Sequence, residues 1–174
     1  MFTDPLKNLK MLGFRETDIV ADLGAGTGFY TILVSPLVRR GKVYAVDVVK
    51  DFLKTIQNKV KEKHLTNVEI LIGNVEKIGG TKIGDNIVDV AIVSNIFFEV
   101  EDKKTFIKEI KRILKKQGKV LFIDWLPDSK LVSSSLIVPK VRALEMFLEE
   151  SFVLDREIDA GAHHYGMILS KYEK

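Results

Sequence analysis

The stretch "DIVADLGAGTGFYT", residues 18–31, decides how the rest of the chain is read. A short apolar run, Ile19-Val20-Ala21, leads into Asp22. Glycines then fall at every second position, Gly24, Gly26 and Gly28, and Phe29 opens a helical spacing. Alternating glycines cost conformational entropy, so a turn built this way is expected where a ligand comes close to the main chain. The helix that follows directs free N–H groups and a positive dipole end at the same point, which favours a carboxylate or phosphate.

Outward from this loop, β-branched runs recur at 43–48, 68–72, 88–93 and 120–123, matching the run at 19–23. Runs of this kind read as strands buried on both faces. Between them, Phe52, Leu53, Ile56 and Val60 form one helical stripe, and Phe106, Ile107, Ile110, Ile113 and Leu114 form another, both expected to face the core. Alternating strands and helices predict right-handed crossovers and a doubly wound α/β sheet that is mostly parallel. After the fifth run, a helix over 138–150 precedes "FVLDREIDA" and "HHYGMILSK", joined only by Gly161-Ala162. So short a link predicts an antiparallel hairpin, and hence an antiparallel last strand. Pro36 should end or kink the first crossover helix near Ser35. No repeat or linker divides the 174 residues, so one domain over 1–174 is expected.

Composition narrows the chemistry. Hydrophobic residues make up 46% and charged residues 29%, as in a soluble globular protein. No apolar run approaches the roughly 20 residues of a membrane span, and "MFTDPLKNLK" lacks a signal peptide's apolar region. A cytoplasmic location is therefore expected. The absence of cysteine excludes disulfides, thiolate zinc sites, iron–sulfur clusters and thiol nucleophiles. The net charge of +3 comes from lysines dispersed among acids, without the aromatic interleaving of a nucleic-acid platform. A nucleic-acid partner is not expected. His163 and His164 are adjacent on an expected strand and point to opposite faces, so no two-histidine metal site is expected. Glutamine occurs only at Gln57 and Gln117, a bias resembling heat-adapted proteins.

The loop has an acidic partner. Counted from Gly28, Asp47 lies about 20 residues on, the spacing at which a carboxylate reaches the ribose hydroxyls of an adenosine ligand. Dinucleotide enzymes use G-x-G-x-x-G, whereas this loop reads G-x-G-x-G with Asp22 two residues ahead of its first glycine. Asp22 would repel a pyrophosphate but can hold, directly or through water, the ammonium of an amino-acid moiety. S-adenosylmethionine offers adenosine, an ammonium and a carboxylate, and no phosphate.

With these residues in view, the chain resembles the class I S-adenosylmethionine-dependent methyltransferases, especially the small-molecule branch of the methyltransferase domain 11 type. The resemblance runs through "VADLGAGTG", "VYAVDV", "LIGNVEKI", "VDVAIVSNIFFEVED" and "ILKKQGKVLFIDW", in the family's order. It implies a Rossmann-like seven-stranded sheet whose last strand is antiparallel. It further implies that Asp22, Gly24, Ala25, Gly26 and Gly28 surround the methionine part of S-adenosyl-L-methionine. Asp47 would take the ribose hydroxyls and Val48 would pack on the adenine. Asn74 stands where the family commonly has an aspartate for the adenine amino group, and an amide oxygen can accept the same hydrogen bond. Val75 would offer its N–H to the ring, and Ser94 and Asn95 would lie nearest the sulfonium and the acceptor. Two of these residues also have plain structural readings: Asp47 as a helix cap and Asn74 as a turn residue.

Methyl transfer from a sulfonium is an in-line displacement, in which the protein mainly supplies position. Where the acceptor must lose a proton, a base within hydrogen-bond reach is needed; the candidates are Glu99, Asp124 and His164, in that order. Tyr165 is a further residue that could reach the acceptor. The expected acceptor is a small molecule admitted past Phe2, Phe97, Phe98 and the segment 127–139, a lid candidate rich in serine between two prolines. Two alternatives stand beside this reading: a nicotinamide-dependent oxidoreductase, and a non-catalytic protein that binds S-adenosylmethionine. The oligomeric state leaves no mark on the sequence.

Overall fold

In the computed structural model, residues 5–129 and 132–172 are described. Phe2 and residues 130 and 131 of the expected lid lie outside them. Seven strands form one sheet: β1 (Ile19–Leu23), β2 (Lys42–Asp47), β3 (Val68–Ile72), β4 (Val88–Ser94), β5 (Leu114–Trp125), β6 (Phe152–Ile158) and β7 (His164–Lys171). Their spatial order is β3-β2-β1-β4-β5-β7-β6. β7 is inserted between β5 and β6 and is antiparallel to both, while the other pairings are parallel. The order reverses between β1 and β4, so the crevice beyond their carboxyl ends is where an open sheet of this kind binds ligands.

The helices are α1 (Pro5–Lys10), α2 (Phe29–Val34), α3 (Lys50–Glu62), α4 (Lys103–Ile113) and α5 (Lys140–Glu149). α2 stops at Val34 and continues as a 3-10 turn, Ser35–Val38, with Pro36 near its start, as a proline inside a helix requires. On one face of the sheet, Phe97, Phe106, Phe122 and Phe147 pack with the α4 residues Ile107, Ile110 and Ile113. Phe97 and Phe147 meet the ring of Phe122 edge-on, with centroids 5.1 and 5.3 Å away. Such pairs contribute about 0.5–1.5 kcal/mol each beyond area burial. The opposite face is covered by Leu9 and Leu12 near the amino terminus and by Val34 and Val38 after the glycine loop.

Several expectations change in detail. Leu114 is not the end of the α4 stripe but the first residue of β5, paired with Val88. β5 is consequently much longer than 120–123. It bulges before Val120, where Gln117 takes φ +60° and the pairing with β4 slips. β2 ends at Asp47, leaving Val48 exposed beyond the sheet. The hairpin link is 159–163 and not two residues, so His163 lies in the turn and only His164 begins β7. Phe97, expected at the entrance for an acceptor, is fully buried in the core. Phe52 does the reverse: it leaves the core stripe and stands exposed over the cleft.

A second buried network fixes the chain after β3. Glu109 on α4 accepts from the backbone N–H of Gly79 and Thr81 and from the Thr81 hydroxyl. Arg112, one turn on, donates to both Glu109 carboxylate oxygens at 2.8 Å.

Candidate active site

Two adjoining cavities open at the carboxyl ends of β1, β2 and β4, with volumes of about 400 and 350 Å³. They share Gly24, Gly26 and Asn95, so the glycine loop and the end of β4 form the waist of one cleft.

The loop is shaped by its neighbours. The N–H groups of Gly24 and Ala25 both reach Val46 O, at 2.8 and 3.0 Å, and fasten the turn to the end of β2. Gly24, Gly26 and Gly28 have φ of +71°, +53° and +83°. A Cβ on Gly24 would come 2.1 Å from Ile96 Cδ1, whereas one on Gly26 would meet nothing within 4 Å. The first glycine is favoured by its left-handed backbone, with Ile96 packed against it. The second leaves bare backbone open to the cleft, the arrangement a close-lying ligand needs. Lys59 on α3 holds the loop from behind by donating to Thr27 O.

Asp47 closes the second cavity. Its Oδ2 accepts from Gly26 N–H and its Oδ1 from Val49 N–H, both at 2.9 Å. Each carboxylate oxygen has a further lone pair for a hydroxyl donor. Val48, Asn74 and Val75 line the same cavity, joined by Val49, Phe52, Gly73, Glu76 and Glu99. Asn74 Oδ1 accepts from Glu76 N–H at 2.8 Å, so the turn reading of this asparagine is realised and one acceptor position is used. Glu76 in turn accepts from the N–H groups of Glu101 and Asp102, tying this wall to the start of α4.

The first cavity is lined by Asp22, Gly24, Ala25, Gly26, Phe29, Tyr30, Ser94, Asn95 and His164, with Pro5 and Asn8 from α1, Ile123 from β5, and Ala160. Asp22 is buried; its Oδ2 accepts from both the N–H and the hydroxyl of Thr31, at 2.9 and 2.6 Å. Burial pushes its carboxyl up to about 6, against the pull of the Thr31 hydrogen bonds. Part of the free end of α2 is therefore already taken by Asp22. Gly28 lies outside both linings and packs against Ile56, which a Cβ there would approach to 2.7 Å. Asn95, at φ +56°, hydrogen-bonds through its N–H to Ile123 O; a non-glycine residue in this conformation at a strand end is a recurrent active-site device. Burial raises the Tyr30 phenol, against a smaller lowering pull from Ser94.

The three candidate bases are not brought together. Glu99 is exposed at the second cavity, away from His164. Asp124 lines neither cavity: it is buried behind the wall, accepting from Phe98 N–H through Oδ2 and Trp125 N–H through Oδ1. Burial pushes it up to about 6. His164 lines the first cavity, and burial, with His163 beside it, lowers its imidazole below the ordinary histidine range. Tyr165 is turned away, donating to Val138 O, and burial raises its phenol.

Among the lining residues that sequence reasoning missed, Phe29 and Tyr30 had a signal, since they follow Gly28 directly. Asn8 and Ala160 had none.

A family model described as a methyltransferase domain matches residues 21–122. A demethylmenaquinone methyltransferase of Geobacillus sp. (strain WCH70) is 31% identical over 117 residues, covering 67% of this chain and 49% of that protein. The chain thus spans about half the length of the curated relatives it matches. A SAM-dependent methyltransferase structure from Aquifex aeolicus is 28% identical with a TM-score of 0.88, covering 97% of this chain and 90% of that one. A putative type 11 methyltransferase from Sulfolobus solfataricus is 26% identical with a TM-score of 0.77, covering 100% and 95%.

Proposed function

Because the chain belongs to the methyltransferase-domain family, we propose that it transfers a methyl group from S-adenosylmethionine to a small-molecule acceptor. The cofactor would lie across the waist of the cleft, and the acceptor would enter the first cavity. The observation that carries this reading is the joint between Asp47 and Gly26: a carboxylate with spare lone pairs is fixed by hydrogen bond to bare, open backbone. A pyrophosphate against the loop is disfavoured by Asp22, buried beside it.

In this reading Asp47 holds the ribose hydroxyls, and Val48, Phe52, Asn74 and Val75 enclose the adenine. Asp22, Ala25 and the loop glycines hold the amino-acid end. Ser94 and Asn95 lie beside the reacting centre. When bound, the cofactor supplies a methyl group on a positively charged sulfur. The chain's own contribution is position: the glycine loop excludes side chains from the donor's path, and Asn95, pinned by Ile123, fixes the waist. The small-molecule acceptor is supported by relatives named for quinone substrates. No helix among the described residues is long and apolar enough to cross a membrane.

Calorimetric titration with S-adenosylmethionine, S-adenosylhomocysteine and NAD tests the proposal. Micromolar binding of the first two is expected, weakened at least tenfold, about 1.4 kcal/mol, by Asp47→Ala. Tighter binding of NAD, or no binding of either sulfur ligand, overturns it.

A further inference from the structure

The first cavity contains no lysine or arginine among its described lining residues, and the buried acid Asp22 stands on its wall. The Thr31 hydrogen bonds offset the burial of that carboxyl only in part, and no cation among the described residues adds to them. A buried carboxylate in such a place is favoured by a cationic group brought in by a ligand.

The helix α1 brings a second oxygen to the same cavity. Asn8 is only 2% exposed and lines the cavity beside Pro5, while the next residue, Leu9, is fully buried in the core and holds the helix in place. Asn8 Nδ2 donates to Asp159 O at 3.1 Å. A carbonyl oxygen only accepts, so this bond fixes which way the amide is turned. Asn8 Oδ1 has no hydrogen-bond partner among the described residues. Nor is it sealed off, because the fully buried side-chain atoms without a partner are Trp125 Nε1 and His164 Nε2. The small surface that Asn8 retains therefore includes Oδ1, and the surface that Asn8 lines is that of the cavity. An amide so nearly buried is ordinarily satisfied at both ends, and asparagine is a poor choice inside a helix on propensity alone.

We propose that Asn8 is a cofactor-binding residue: its Oδ1 accepts a hydrogen bond from the ammonium of S-adenosylmethionine, a group it shares with Asp22. The proposal rests on the cofactor assignment above, which puts the amino-acid end of the ligand beside Asp22 and Gly24 on this wall. That end carries one donor group, the ammonium, and one carboxylate. An amide oxygen attracts the first and repels the second. Three N–H groups on one ammonium suffice for Asn8 and Asp22 together. Through Asn8 the ligand is tied to α1 and, by way of Asp159 O, to the turn between β6 and β7.

The test is calorimetric titration with S-adenosylhomocysteine and with 5′-methylthioadenosine, which keeps the adenosine and the sulfur but lacks the ammonium and the carboxylate. Asn8→Leu removes both polar ends of the side chain. It should weaken S-adenosylhomocysteine about tenfold, as for a hydrogen bond to a charged group, and 5′-methylthioadenosine less than about twofold. Retained binding of the second ligand also shows that the variant is folded. Asn8→Asp has no side-chain N–H but keeps an oxygen towards the cavity, and its carboxyl, when protonated, donates to Asp159 O in place of Nδ2. It should hold S-adenosylhomocysteine within about threefold of the wild type. An equal loss of both ligands in Asn8→Leu makes the residue a scaffold only and overturns the proposal, as does no loss of either. A loss of about tenfold for S-adenosylhomocysteine in Asn8→Asp overturns it too, because it assigns Asn8 to the ligand's carboxylate through the second Nδ2–H. These outcomes leave the methyltransferase reading intact. Failure of S-adenosylhomocysteine to bind the wild type removes both.

Discussion

Glu109 and Asp124 are both carboxylates with almost no exposed surface, at 0% and 1%, yet their surroundings are opposite. Glu109 has a guanidinium against it and hydrogen bonds from Thr81 and Gly79; although burial raises its carboxyl, Arg112 and Thr81 bring it down to about 2. Asp124 has backbone N–H groups and the weaker pull of Lys103, and burial wins, pushing it up to about 6. Asp22, at the end of β1, follows Asp124. Away from the cleft a buried charge is paired and fixes a loop. At the cleft, buried acids stand unpaired at strand ends, where their desolvation is borne for positioning. The same chain thus keeps the two uses of a buried carboxylate in separate places.

The largest test of this contrast is Glu109→Ala. It removes the buried carboxylate that holds Gly79, Thr81 and Arg112, leaving Arg112 with the exposed Asp85 and with Ile83 O, and should cost about 3–5 kcal/mol in urea unfolding. Because its folded pKa is depressed, Glu109 contributes stability above about 4.5 that is lost as pH falls through about 2; the variant should lack that loss. A smaller effect of opposite sign is expected for Asp124→Asn. Asp124 has a raised folded pKa, so its favourable contribution is present below about 4 and is lost as pH rises through about 6. The asparagine keeps the neutral state at every pH and should stabilise the protein at pH 8 by about 2 kcal/mol, a gain that vanishes by pH 4. Smallest is Asp22→Asn. The gain at pH 8 should be about 1 kcal/mol, because the charge-assisted bonds to Thr31 weaken as well, while S-adenosylmethionine affinity drops. Destabilisation by either asparagine substitution at pH 8 breaks the comparison.

The wall of the second cavity was legible because it is written locally. The loop, Asp47, Val48, Asn74 and Val75 occupy three short stretches at strand ends, and each backbone demand has a residue type that meets it. The first cavity was less so: His164 stood out as a candidate base and Tyr30 follows the loop, but Asn8 and Ala160 join them only through tertiary packing. Phe97-Phe98 read as an entrance, but adjacent residues on a tight turn diverge: Phe97 joins the core, and Phe98 meets Trp125 edge-on. Phe52 read as core by periodicity, but α3 begins where β2 has already ended, so its first turn overhangs the cleft. The length of β5 was hidden by a bulge that "KKQGK" does not announce as strand. The antiparallel β7 followed from the resemblance and from a final link that is short, though five residues and not two, whereas the spatial order of the strands was not read from the sequence.

Asn8 donates to Asp159 O across 151 residues of sequence. That one bond joins the front of the chain to its final hairpin, and β7 must slot between β5 and β6 before Ala160 and His164 take their places. The wall of the second cavity is made entirely from residues before 101, whereas the wall of the first cavity needs Ala160 and His164. The two walls of the cleft are therefore completed at different times in synthesis, the one with Asp47 before the one with His164.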